Sequence, residues 1–346
     1  MSIFDFFTGL VGRDMGIDLG TVNSMVYVRG KGIVLREPSV VAINRDNKDI
    51  LAVGSEAKRM VGRTPSSIVA IKPLRDGVIS DFDITQKMLR HFINKVHRFN
   101  FFARPRVIIC VPSGITGVER RAVIEAAEQS GVRAVYILEE PMAAAIGTEL
   151  PVSEPIGHMI VDIGGGTTEI AVISLGGIVV SQSIRIAGNE MDEAIINMLK
   201  RDHNLLIGET TAEAIKIEIG SAFTQNEEET VEARGRDLVT GLPKSIILSS
   251  KDVRDALDET LNIIINAVVE AFDKTPPELI ADIYNNGIMM VGGGSLLKGM
   301  SDRLKHHTKC EILTTENPLE AVVLGAGKCV ENFELFKNLI SHGRGV

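Results

Sequence analysis

Twice in this chain an apolar run closes on an acid, turns through glycine and hydroxyl residues, and returns as a second apolar run. The fuller copy is Ile160–Ile170, where Met159, Ile160, Val161 and Ile163 surround Asp162. Gly164, Gly165, Gly166, Thr167 and Thr168 follow, then the apolar run Ile170–Leu175. The other copy is Gly16–Val28, with Asp18, Gly20, Thr21, Val22, Asn23 and Ser24 before the return as Met25–Val28. Each reads as strand, tight turn, strand. A third apolar run, within Gly287–Gly299, passes through Gly292, Gly293 and Gly294, and Ser295 predicts the cap of a helix that carries Leu296. Glycines lack a Cβ, so backbone N–H groups can converge in a way that suits a phosphate. A carboxylate at a strand end suits a hydrated Mg²⁺, which keeps most of its waters. Taken singly, each copy is equally a β-hairpin with a glycine turn. Two such hairpins facing each other can clamp a polyphosphate and its metal, while the third turn offers close backbone approach for a nucleoside. The fingerprints of other nucleotide folds are missing: there is no Gly-x4-Gly-Lys-Ser/Thr, and no Gly-x-Gly-x-x-Gly opening a helix after a strand.

The three segments resemble the two phosphate loops and the adenosine loop of the actin/Hsp70/sugar-kinase superfamily. Within it the chain is most similar to the MreB family of bacterial actins, over essentially its whole length. Supporting stretches are Gly32–Val41, Ile137–Gly147, Ile186–Ile195 and Ala212–Gly220, in family order and spacing. The resemblance implies an α/β, actin-like ATPase fold of two duplicated domains with the nucleotide in the cleft between them. Domain I is expected over residues 1–150, with an inserted subdomain at about 32–79, completed by a C-terminal helix in 318–346. Domain II is expected over 151–317, with an inserted subdomain at about 187–250.

A chain of 346 residues is long for one domain, and 45% hydrophobic content supports sizeable cores. No tract approaches the ~20 apolar residues of a spanning helix, and no secretory signal is expected at the N-terminus. Cys110, Cys310 and Cys329 are odd in number and lack CxxC spacing, so they read as buried free thiols of a reducing compartment. The net charge of −8 argues against a nucleic-acid groove.

Along the chain, strands are expected at Ile33–Leu35, Val40–Ile43 and Ile50–Val53, with a short helix near Ser55–Val61. Lys72-Pro73-Leu74 and Gly77 read as the return to the main sheet, and the apolar face from Ile84 to Val96 as a helix. Thr116 and Glu119 spell a capping box. Glu139 and Glu140 precede Pro141 and an Ala-rich helix, where acids can simply cap the helix. A strand at Ile178–Ile186 leads to a helix starting near Met191. Glu213 and Lys216 lie i,i+3 on a helix over Thr211–Ala222, where a surface ion pair is the plain reading. Glu227–Glu229 read as solvated acids. Ser249 or Ser250 caps a long helix stopped by Pro276-Pro277. The last helix is expected within Pro318–Phe336.

Six of the twelve Phe residues fall in two segments outside the expected cores. Phe4, Phe6 and Phe7 join Ile3, Leu10 and Val11 on one helical stripe at the N-terminus. Phe99, Phe101 and Phe102 sit in a loop beside Arg98, Arg104 and Arg106. Such segments either pack on the body or enter a membrane surface, with the arginines facing anionic headgroups. The resemblance favours the membrane.

The resemblance further implies ATP and Mg²⁺ as cofactors. Asp18 and Asp162 would hold the metal through water, and the amides near Gly20–Asn23 and Gly164–Thr167 the β- and γ-phosphates. Glu140 would orient the attacking water, with Thr167 bonding it or the γ-phosphate. Glu213 and Lys216 would flank adenine and ribose, with Gly292–Leu296 at the adenosine. The implied function is a self-assembling cytoskeletal ATPase with slow turnover. It would be cytoplasmic, peripheral on the inner face of the cytoplasmic membrane, and would set rod shape with adaptor proteins and the wall-elongation machinery. A small-molecule kinase would need an acceptor pocket and a base facing the γ-phosphate, and no surplus acidic cluster is visible. A chaperone ATPase would need a substrate module after the second domain, for which no room is expected.

Overall fold

The computed structural model of the protein describes residues 14–96 and 104–342. Phe4, Phe6, Phe7, Phe99, Phe101 and Phe102 lie outside them. The chain divides into two compact units, one drawn from Met1–Pro155, Ile173–Ile178 and Leu319–Val346, the other from Ile156–Val172 and Val179–Pro318.

In the first unit, a six-stranded sheet runs in the order Ser341–His342, Ala134–Glu139, Arg106–Val111, Met15–Leu19, Asn23–Val28, Gly32–Pro38. The first two strands of the chain pair antiparallel through a three-residue turn, with Leu19 opposite Ser24. Arg106–Val111 then lies parallel to Met15–Leu19, and Ala134–Glu139 parallel to Arg106–Val111. Parallel neighbours need long crossovers, and helices supply them. The helix Phe82–Val96 buries Ile84, Met88, Leu89, Phe92 and Ile93. The helix Gly117–Gln129 starts at the expected box, Thr116 Oγ1 accepting from the Glu119 amide. Each fully buried aliphatic chain of this face contributes about 1.5–3 kcal/mol. Gly32–Pro38 stays in the main sheet. A separate three-stranded sheet begins only at Val41, with Val41–Asn44 between Ile50–Val53 and Ile68–Ile71.

The stretch read as the way back to the main sheet reaches it, its Gly77 amide donating to Thr21, without adding a strand to it. Leu74–Arg75 and Val78–Ile79 pair only with each other. Their two-residue link, Asp76 and Gly77, has φ of 50° and 76°. Positive φ at both positions is what a tight two-residue hairpin turn requires, and it closes the segment on itself.

In the second unit, a five-stranded sheet runs Gly177–Ile184, Thr168–Ser174, His158–Ile163, Ile288–Val291, Ile312–Thr314. Ile288–Val291 is parallel to His158–Ile163, and Ile312–Thr314 to Ile288–Val291. The order is that of the first unit: third strand, second strand, first strand, then two further strands parallel to the first. The two units therefore share a topology. Both faces of the hairpin strands are covered, and His158–Ile163 and Thr168–Ser174 are buried at every position.

The long helix Ser250–Asp273 is capped by Ser249, whose Oγ accepts from the Asp252 amide while Asp252 answers the Ser249 amide. Val253, Leu257, Leu261, Ile264, Ile265 and Val268 are buried along it. The helix after Gly177–Ile184 runs Gly188–His203, starting three residues earlier than expected, because the Glu190 carboxylate accepts from the Ala187 amide and fixes the first turn there. Leu205–Leu206, Thr230–Asp237 and Pro243–Ser249 form their own sheet. The acids before it are exposed but not merely solvated. Glu228 accepts from Arg254 and Ser250 at 2.6 Å each, and Glu229 meets Lys298. The Arg254 hydrogen bond holds the Glu228 carboxyl below its ordinary range. All three cysteines are buried and unbridged, and burial pushes the Cys329 thiol up to about 12.

Candidate functional site

In the first unit the turn Gly20-Thr21-Val22 joins the hairpin strands at the carboxyl end of the sheet. A Cβ on Gly20 would stand 2.6 Å from the Asn23 carbonyl oxygen, so the bend closes only without one. Hydroxyls brace it. Ser39 Oγ donates to the Gly20 carbonyl at 2.6 Å and lies 2.8 Å from Ser24 Oγ. Thr21 Oγ1 accepts from the Gly77 amide at 2.9 Å. Asp18 sits one residue before the strand ends, and burial pushes its carboxyl up to about 7. Such a group favours its neutral form until a cation faces it.

Asp18 is level with Cys110, and Cys110 with Leu138, across three parallel strands. Glu139 and Glu140 come next along the third strand, at the start of the helix Glu140–Gly147. With strands ~4.8 Å apart, these two acids stand on the same sheet edge as Asp18, on the order of 10 Å from it across the middle strand. The carboxyl ends of parallel strands are where α/β sheets place ligands. Glu139 is the residue before the helix, and its side chain makes no capping bond to the helix amides.

In the second unit the turn Gly164–Thr167 joins the two buried strands, closed by the Gly164 amide donating to the Thr167 carbonyl at 2.9 Å. Thr167 is buried, as is Asp162. Asp162 is level with Val291 on the parallel neighbour, so Gly292 comes just beyond it. Gly292 has φ 80° and ψ 171°, and a Cβ there would overlap Asp162 Oδ1 and the Ile163 carbonyl. The third glycine segment is thus laid directly on the acid of the second. Contrary to the sequence reading, Ser295 does not cap a helix. Its Oγ turns back to the Gly292 carbonyl at 2.6 Å within a single 3₁₀ turn, Gly293–Leu296, and the α-helix starts only at Met300, behind Gly299 in the left-handed region. A serine that closes its own turn has no hydroxyl left aimed at a later helix start. Gly293 and Leu296 are exposed on this turn.

Glu213 and Lys216 lie on the helix Glu209–Ile219. The plain reading of Lys216 as the surface partner of Glu213 fails. Its ammonium pairs with Asp192 at 2.8 Å and donates to the Gly188 carbonyl at 2.7 Å, in a half-buried place. A partner from another helix, held in place by packing, outcompetes a local one on an exposed face. The same helix ends at Gly220 beside Leu297, and Ala222 donates to the Lys298 carbonyl. Asp162, Gly164–Thr167, Lys216 and Gly292–Leu296 are therefore one contiguous cluster in this unit.

The family model for the MreB/Mbl protein matches residues 12–338. The chain belongs to the MreB/Mbl family. The cell shape-determining protein Mbl of Bacillus subtilis strain 168 is 51% identical over 322 residues, spanning 93% of this chain and 97% of that protein. The cell shape-determining protein MreB of Escherichia coli K12 is 51% identical over 334 residues, spanning 95% and 96%. Among solved structures, MreB5 of Spiroplasma citri bound to AMPPNP superposes with a TM-score of 0.89 at 37% identity, over 94% of this chain and 97% of that one. The same protein bound to ADP gives the same score. The MamK double helical filament, at 22% identity, gives 0.75 and speaks to the fold alone. The fold is the actin-like ATPase fold.

Among the residues that hold these turns, Ser39, Asn189 and Asp192 are not marked by the sequence, which reads Gly188 only as the residue before a helix. Ser39 acts 19 residues from Gly20, and Asp192 acts across two helices, so no local pattern marks either.

Proposed function

We propose that this chain is an ATP-binding, filament-forming bacterial actin that assembles on the inner face of the cytoplasmic membrane and organises wall synthesis to set rod shape. The observation that carries the reading is the pair of acid-bearing glycine turns, each at the carboxyl end of the same sheet topology. It is supported by the likeness to a chain solved with AMPPNP and with ADP. Asp18 and Asp162 fit a hydrated Mg²⁺: each stands at a strand end beside a turn of bare backbone, and the raised Asp18 carboxyl wants a cation. Mg²⁺, when bound, spreads the charge that develops in phosphoryl transfer. The amides of Gly20–Asn23 and Gly164–Thr167 bind the phosphates, and Glu140 orients the attacking water with Thr167 beside it. Glu213, Lys216 and Gly292–Leu296 take the nucleoside. A carboxylate close to a polyanion is a poor strong base, so positioning is the role assigned to Glu140, and slow hydrolysis coupled to assembly follows.

For the membrane, Asp14 is the first described residue and Arg106 opens the strand after the Phe-rich loop. Arg106 donates to Asp14 Oδ2, at 3.0 Å from Nε and 2.5 Å from Nη2, and its amide donates to Oδ1 at 3.1 Å. Asp14 and Arg106, which follow the two Phe-loaded stretches of the sequence, thus meet at one point of the fold, which suits one shared apolar partner. Among the described residues no helix is long and apolar enough to cross a membrane. The test is sedimentation with liposomes in Mg-ATP, followed by electron microscopy. Filaments on lipid are expected. A protein that binds ATP but stays dispersed with lipid present would overturn the assembly reading.

A further inference from the structure

In the proposed site Lys216 has the task of meeting the nucleoside, but its partners within the fold lie elsewhere. Its Nζ donates to the Gly188 carbonyl at 2.7 Å and pairs with Asp192 at 2.8 Å. Gly188 and Asn189 open the helix Gly188–His203, and their amides donate to the Gly164 and Gly165 carbonyls at 3.2 and 2.8 Å. The path is short and continuous: helix Glu209–Ile219, Lys216, the Gly188 peptide, then the glycine turn. A peptide whose carbonyl accepts from an ammonium is polarised, and hydrogen bonds in a chain strengthen one another. The turn itself is glycine at three successive positions, so it has little stiffness of its own. Its amides converge on a phosphate only if its carbonyls are held the other way, and Gly188 and Asn189 hold two of them. There is no slack. A Cβ on Gly188 would sit 3.3 Å from the Gly164 carbonyl oxygen and 3.4 Å from Lys216 Nζ.

We infer that Lys216 is a positioning residue for the phosphate-binding turn Gly164–Thr167, acting through Asp192 and the Gly188 peptide, so that its loss weakens the β- and γ-phosphate contacts rather than the nucleoside contact. The inference rests on the nucleotide reading above. One N–H of the ammonium is given to the Gly188 carbonyl, and its charge is met by Asp192. Contact with a ribose through a remaining N–H is compatible with this role but accounts for neither of these contacts.

The test compares AMPPNP and AMP binding, each by displacement of a fluorescent ADP analogue. The variants are Lys216→Met with Asp192→Asn, which leaves no unpaired charge, then Lys216→Arg, and Gly188→Ala. The double variant is expected to bind AMPPNP about tenfold or more weakly, a loss of ~1.4 kcal/mol, and AMP within about twofold of the parent. Lys216→Arg, which can still span both acceptors, is expected to restore AMPPNP to within about threefold. Gly188→Ala keeps the lysine and crowds the joint, and should weaken AMPPNP alone. Equal losses for AMP and AMPPNP in the double variant would assign Lys216 to the nucleoside and overturn the inference, as would unchanged AMPPNP binding. If the double variant does not fold, Gly188→Ala decides: AMPPNP bound as well as by the parent sinks the idea. A parent that binds no AMPPNP refutes the nucleotide reading instead, which is a separate outcome.

Discussion

Replacing Gly292 with alanine isolates the contact that joins the third glycine segment to Asp162. The cost has two parts. At φ 80° and ψ 171° the backbone is in a region that is essentially glycine's own, and a side chain there costs ~1–3 kcal/mol. The new Cβ would also overlap Asp162 Oδ1 and the Ile163 carbonyl, with the Ile163 carbonyl carbon only 2.7 Å away. Those neighbours are backbone and a buried acid, so they cannot swing aside, and overpacking of this kind costs ~1–3 kcal/mol. The alanine restricts the unfolded chain and returns ~0.4–1 kcal/mol. The net is about 4 kcal/mol at the upper part of these ranges. For a unit of this size each kcal/mol lowers the melting point by ~2–4 °C, which puts the loss at about 8–16 °C. Gly241 is the control, being in the same unit at φ 75° with nothing within 4 Å of where a Cβ would stand. Gly241→Ala carries only the backbone term of ~1–2 kcal/mol less the entropic return, and should melt within ~6 °C of the parent. Scanning calorimetry of both proteins gives the comparison. If the two variants melt within a couple of degrees of each other, the packing of Gly292 on Asp162 is not what constrains this position.

Glu140→Ala should keep ATP bound and slow phosphate release about 10²-fold, what misplacing a reactant by about 1 Å costs; unchanged release removes that residue from the reaction. Phe101→Ser with Phe102→Ser should lower recovery with liposomes and leave AMPPNP affinity as it was, and a double variant that sediments with lipid like the parent refutes the loop assignment. The raised Asp18 carboxyl means the folded protein without nucleotide binds that proton more tightly than the unfolded chain does. Stability should then fall as pH climbs from about 4 through about 7, measured by urea midpoints, and Asp18→Asn should flatten that limb. A thiol buried and pushed up to about 12 has almost no thiolate, so Cys329 should take no maleimide label until the protein is unfolded. Labelling of Cys329 in the native state at the unfolded rate contradicts its placement.

What the sequence makes legible and what it hides divide along one line. Features written in neighbouring residues are legible: the Thr116–Glu119 cap, a serine cap at Ser249 or Ser250, the apolar face Ile84–Ile93, and both acid-glycine hairpins. Features decided between distant residues are not. Lys216 has Glu213 three positions away and takes Asp192 instead, because packing delivers Asp192 into a partly desolvated place. Ser295 has the right neighbours for a helix cap, yet Gly292 at positive φ turns its own carbonyl toward the serine hydroxyl. Asp76-Gly77 is a turn signal in plain sight, and it closes a hairpin that meets Thr21 without adding a strand to the main sheet.

The two glycine turns also show how one plan came to be braced in two ways. In the first unit the turn is held from its sides by hydroxyls: Ser39 on the Gly20 carbonyl, Thr21 on the Gly77 amide. Neutral hydrogen bonds of this kind contribute ~0.5–1.5 kcal/mol each. In the second unit the turn is held by two amides at a helix start, and that helix start is held by a lysine that is itself ion-paired. Charge-assisted bonds are roughly twice as strong, and truncating one partner of a buried pair costs far more than the pair contributes. Point changes should therefore act unequally on the two halves. Ser39→Ala should loosen the first turn modestly, because Ser24 and the hairpin register remain. Removing Asp192 alone should damage the second turn severely, because Lys216 is left charged, half-buried and free to pull away from Gly188. The shared topology sets where the acids stand, and the bracing sets how rigid each turn is.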